Sequence, residues 1–112
     1  MFQQLSQFDL HHRLAAEKAD SLVFFGTREC ASCRHLKQVL GQLAERRPAW
    51  RIFEVDAEKD MALTREFEIF HLPALFLFHQ GAYHRQLQCQ ASPAAIEAAV
   101  AQALQQPPEE AP

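Results

Sequence analysis

Two of the three cysteines in this 112-residue chain are separated by two residues, Cys30-Ala-Ser-Cys33, and the third, Cys89, stands alone. A dithiol at this spacing suits thiol-disulfide exchange: one sulfur attacks a disulfide, and the other, one helical turn away, resolves the mixed disulfide that results. The exchange needs a thiolate, so what counts is what surrounds the first sulfur. Cys30 falls where an apolar run, Ser21-Leu-Val-Phe-Phe-Gly26, gives way to an amphipathic stretch. A sulfur in a first helical turn faces unpaired backbone N–H groups and the positive end of the helix dipole, and both favour the anion. Cys30 is therefore the expected nucleophile and Cys33 the resolving thiol. Arg28, Arg34 and His35 would lower the nucleophile's pKa further, and Glu29 would raise it.

The same pair is also compatible with inert buried thiols or with part of a zinc site. Zinc usually takes four ligands, and the sequence has no second C-x-x-C and no H-x-x-x-H. An odd number of cysteines also argues against a secreted disulfide scaffold.

The elements that must position the pair are legible from periodicity. Phe2 to Leu5 is a short first strand, and Ser6 or Asp9 caps a helix reaching roughly Lys18, with Leu10 and Leu14 inward. Ser21 to Gly26 reads as a strand buried on both faces. Leu36, Val39, Leu40 and Leu43 recur at helical spacing between Ala31 and Arg46, and Pro48 stops that helix. A strand over Arg51 to Asp56 and a helical region over Ala57 to Phe70 follow, the latter broken by His71-Leu72-Pro73. Ala74 to His79 and Ala82 to about Gln88 form a hairpin across Gln80-Gly81. Ser92-Pro93 starts a last helix with Ile96, Val100 and Leu104 inward. The expected architecture is α/β: a central mixed β-sheet flanked by helices on both faces, in the order β-α-β-α-β-α-β-β-α. One domain is expected over residues 1–105, with a polar, Pro-rich and disordered tail at 106–112.

Composition narrows the partners. A formal charge of −3 gives no electrostatic reason to bind nucleic acid. No apolar run approaches the roughly 18 to 20 residues that span a bilayer. The amino terminus lacks the basic and apolar segments of a secretory signal, so a cytoplasmic location is expected, and a monomer with it.

Over residues 2 to 105 the chain resembles the thioredoxin family. The resemblance is carried by Leu22-Val-Phe-Phe-Gly-Thr-Arg-Glu-Cys-Ala-Ser-Cys33, by Val55-Asp56 with the helix after it, and by His71-Leu-Pro-Ala-Leu-Phe-Leu-Phe-His-Gln-Gly81. It implies a thioredoxin fold, no bound cofactor, protein disulfides as substrates and a thioredoxin-reductase-like electron donor. It further implies a cis peptide bond before Pro73, in a loop facing Cys30 across a substrate groove, with Leu72 offering its backbone to an extended substrate. Read alone, Pro73 would be an ordinary trans proline stopping a helix. His71, close to this loop, is either a thiolate-tuning group or a solvated loop histidine.

The departures from the family pattern are specific. Glu29 stands where thioredoxins usually have Trp, and Ala31-Ser32 where they have Gly-Pro. Phe24 and Ile52 occupy the places of a buried Asp and its Lys partner, leaving water, Glu29, a histidine or the departing substrate to take the proton of Cys33. Slower turnover than in a typical thioredoxin is the expected result. Cys89 falls beside the groove, as a small buried filler or as a third redox thiol. The alternative function is a binding or assembly module of the same fold, chaperone-like, with regulatory or vestigial thiols; metal delivery through Cys30 and Cys33 is a third.

Overall fold

A computed structural model describes residues 2–112. The five strands are β1 (Gln3–Gln4), β2 (Ser21–Gly26), β3 (Arg51–Asp56), β4 (Ala74–His79) and β5 (Ala82–Leu87), and the helices are α1 (Leu10–Ala15), α2 (Ala31–Arg46), α3 (Met61–Glu66) and α4 (Pro93–Leu104). They form one mixed sheet in the order β1-β3-β2-β4-β5. β3 runs parallel to β1 and β2, whereas β4 is antiparallel to both β2 and β5.

β2 lies at the centre, and all six of its residues are buried. Because successive side chains of a strand point to opposite faces, its apolar run supplies two cores at once. Leu22 and Phe24 pack with Leu36, Leu40 and Leu43 of α2 and with Ile96 and Val100 of α4. Val23 and Phe25 pack on the other face with Leu10 and Leu14 of α1, Leu63 of α3, and the rings of Phe67 and Phe76. This is the expected two-sided α/β arrangement.

Several elements are shorter than their hydrophobic patterns predict. Asp9 heads α1 without a side-chain cap, because its Oδ1 accepts instead from the backbone N–H of Ser6 at 2.7 Å. The helical region expected over 57–70 shrinks to Met61–Glu66. At its start the Asp56 carboxylate accepts from the backbone N–H groups of Glu58 and Lys59, which holds a turn, and at its end Glu68 adopts φ 54°.

The hairpin turn has φ 52° at Gln80 and 88° at Gly81, the pair of positive values that matches strand twist. A Cβ on Gly81 would lie 2.8 Å from the carbonyl oxygen of Ala15, so the hairpin tip seats against the end of α1. Ser92 caps α4, its Oγ accepting from the Ala95 N–H at 3.1 Å. Residues 106–112 carry no regular structure but run beside β5, where the Glu109 N–H donates to the His84 carbonyl at 2.8 Å and Arg85 donates to the Pro107 carbonyl. No helix among the described residues is long and apolar enough to cross a membrane.

Candidate functional site

β2 ends at Gly26, a short turn carries Arg28 and Glu29 outward, and Cys30 becomes the N-cap of the sixteen-residue α2. Its extended backbone, φ −88° and ψ 111°, turns the side chain back over the first helical turn. The Cys30 sulfur there accepts the Cys33 backbone N–H at 3.2 Å and lies 3.3 Å from the Ser32 hydroxyl. A sulfur thus does what Ser or Asp does at most helix starts: it satisfies an orphan donor. The field of the helix and the aimed N–H both favour a negative charge on it.

Cys33 is one turn along, and its sulfur is at bonding distance from that of Cys30. The Cα–Cα separation of 5.1 Å lies within the range that a disulfide spans. The two thiols differ in access. Cys30 is half-buried at the surface, whereas Cys33 is only 2 % exposed and belongs to the core cluster containing Phe24 and Leu36. Arg34 folds back over the preceding turn, its guanidinium donating to the Arg28 carbonyl at 2.6 Å. Arg28, Glu29 and Arg34 are all exposed around the head of the helix.

On one side of the pair a groove of about 510 Å³ is lined by Ser32, His35, His71, Pro73, Cys89 and Ile96, among others. The Leu72–Pro73 peptide bond is cis. His71 is exposed on the groove wall, next to Phe70, which is 85 % exposed. Leu72 is half-buried and packs between the two cores rather than along the groove. Cys89 is exposed at the groove and is not a buried filler: β5 ends at Leu87, two residues before it, so no strand carries it inward. Desolvation by the groove walls pushes its thiol up from the ordinary range.

On the other side a second cavity, of about 800 Å³, reaches Cys33, and its lining includes Lys37, Glu54 and Lys59, charged residues that no motif in the sequence marks. The Lys37 Nζ lies 3.0 Å from the Glu54 carboxylate. The structure thus groups Pro73, His71 and Cys89 on one flank of the dithiol and Arg28, Arg34, Lys37 and Glu54 on the other. Among the described residues no three His, Cys, Asp or Glu side chains are grouped as metal ligands.

A mixed sheet of this order, with a C-x-x-C pair at the head of the helix leaving its central strand, defines a thioredoxin-fold protein. Residues 2–102 match the thioredoxin family model, and the chain belongs to that family. No curated protein matches it by sequence. Among solved structures it is similar to oxidised mitochondrial thioredoxin 3 from Saccharomyces cerevisiae, with a TM-score of 0.79 at 18% identity, covering 90% of this chain and 94% of that one. Chloroplastic thioredoxin z gives 0.77 at 20% identity, covering 94% of this chain and 96% of the other. The zinc-bound form of human ERp44 gives 0.78 at 20% identity, covering 91% of this chain and 32% of the longer one.

Proposed function

We propose that the protein is a thiol-disulfide oxidoreductase acting on protein disulfides. Cys30 attacks as thiolate and Cys33 resolves the mixed disulfide. The observation that carries this reading is the contrast between two sulfurs within bonding reach: one at the head of α2 accepting a backbone N–H at 3.2 Å, the other 2 % exposed behind it. A thiolate at the surface meets a substrate disulfide, and a buried partner waits for the mixed intermediate. The groove by Pro73 would take an extended segment of substrate, with the Leu72 backbone and Cys89 at its margin. Arg28, Arg34 and Glu29 set the local field, and His71 stands on the groove wall. As a reductase the protein draws its electrons from a thioredoxin-reductase-like donor.

Insulin reduction driven by dithiothreitol tests the reading. The wild type is expected to precipitate the insulin B chain, and Cys30→Ser to do no better than dithiothreitol alone. Cys33→Ser, reduced and then freed of dithiothreitol before insulin is added, should instead accumulate a stable mixed disulfide through Cys30, which mass spectrometry identifies. A wild type that leaves insulin intact would point to the binding-module reading.

A further inference from the structure

Resolution requires the Cys33 thiol to lose a proton, yet it is 2 % exposed and packs with Phe24, an apolar ring that takes no proton. Three acceptors considered from sequence are poorly placed for it. Glu29 is exposed ahead of α2, and His35 and His71 line the groove on the flank that Cys33 does not reach. Cys33 opens instead onto the second cavity.

That cavity contains Glu54. On β3 it pairs in register with Phe24, so its side chain rises on the same face of the sheet, beneath α2. Lys37 comes down to it from α2, one turn beyond Cys33 and on the same helix face, since residues four apart are neighbours. The carboxylate is 16 % exposed and its ammonium partner 33 %. The other charged groups around the cavity are Arg28 and Arg34 at the head of α2, and Asp56 and Lys59 beyond the end of β3. Asp56 is engaged in its own turn, holding the N–H groups of Glu58 and Lys59. Arg28, Arg34, Lys37 and Lys59 carry positive charge and cannot serve as a base at neutral pH. Glu54 is the acidic group left to accept.

The geometry points to Glu54, oriented by Lys37, as the group that takes the Cys33 proton across the open cavity that both line. This rests on the disulfide-exchange reading and completes its second step. The Cys30 thiolate first attacks a substrate sulfur, forming the Cys30–substrate bond and releasing one substrate thiolate, protonated by solvent. The Cys33 proton then passes by way of water to the Glu54 carboxylate. The Cys33 thiolate attacks the Cys30 sulfur, the Cys30–Cys33 bond forms, and the second substrate sulfur departs as thiolate and takes up a proton. Two electrons pass from the dithiol to the substrate disulfide, and Glu54 finally returns its proton to solvent. Glu54 acts through water rather than by touching sulfur, so it is a positioning residue for the proton.

The test follows release of the first and second thiols from a dye-quenched peptide disulfide by the full-length reduced protein. In Glu54→Gln the second release is expected to slow about tenfold at neutral pH, with the deficit closing toward about pH 9, where hydroxide deprotonates the thiol directly. Glu54→Asp should recover part of the rate. The attack step, isolated in a Cys33→Ser background, is the control, and a thermal midpoint for each variant reports on folding. A Glu54→Gln protein that matches wild type at every pH overturns the inference alone, as does one slowed equally at every pH or in both steps. A wild type that releases neither thiol overturns the exchange reading as well.

Discussion

The ring of Phe24 and the side chain of Cys33 converge on the α-carbon of Gly26. A Cβ built there would lie 2.8 Å from Phe24 Cζ, 3.1 Å from Cys33 Cβ and 3.2 Å from Cys33 Sγ. The missing side chain is what lets the Cys33 thiol settle on an aromatic ring. Gly26→Ala must displace either a buried ring or the first turn of α2. It is expected to cost about 1–3 kcal/mol by urea denaturation, in the range of overpacked cores. An unchanged denaturation midpoint would mean that the head of the helix yields freely.

The Ser32 hydroxyl, 3.3 Å from the Cys30 sulfur, adds one hydrogen bond to a thiolate already served by the Cys33 N–H. With one such bond lost and the helix terminus intact, Ser32→Ala should raise the Cys30 pKa, because the anion loses a donor. Thiolate absorbance during a pH titration reads this when Cys33→Ser and Cys89→Ser leave Cys30 as the one thiol. An unchanged titration would show that the hydroxyl contributes nothing to the anion and that the backbone alone holds it.

Glu17 ties part of the stability to pH. The backbone N–H of Ala19 lowers its pKa below 4.5, aided by Arg13 and Arg51 and opposed by desolvation. Its folded value is thus below its unfolded one. The stability it adds is complete above the unfolded value and is lost as pH falls through the folded value. Glu17→Gln should therefore destabilise at pH 7, by about 1 kcal/mol, with the difference from wild type disappearing in acid. A variant whose penalty persisted in acid would place the cause in shape, not charge.

Tyr83 is the one tyrosine of the chain, so tyrosinate absorbance follows it alone. Its pKa is raised above 10.0, first by desolvation and then by the Glu109 carboxylate, against a smaller opposing effect of Arg85. Deleting residues 107–112 removes the second cause and leaves the first. The truncated protein should ionise at lower pH than the full chain yet still above 10.0. Identical titrations of the two proteins would show that the tail does not dwell beside β5 in solution.

The framework was legible because its elements bury faces of clear period. Leu36, Val39, Leu40 and Leu43 mark α2, and Ser21 to Gly26 marks the central strand. The bounds of α3 were not, since Met61, Leu63, Phe67 and Ile69 keep an apolar rhythm past the point where Glu68 turns left-handed. At the site, the cysteine pair and the proline loop announce themselves by spacing and by family pattern. Glu54 and Lys37 do not. Each reads as a polar residue on the outer side of an amphipathic element, and only the laying of α2 across β3 brings them 3.0 Å apart. Of the two readings of Cys89, the buried filler fails because thiols are commonly buried whereas this one follows the end of an edge strand.

The dithiol hangs from β2, the strand bonded on both sides and covered on both faces. Edge strands and loops fray in local openings, but a middle strand exchanges its amide protons only when the whole molecule unfolds. The slowest-exchanging amides should therefore lie in Leu22 to Phe25, directly behind the two sulfurs. The loop of Glu68 to His71, at the rim, should exchange orders of magnitude faster. The cysteine pair would then be anchored in the most persistent part of the protein, and the groove rim beside it would be the most yielding.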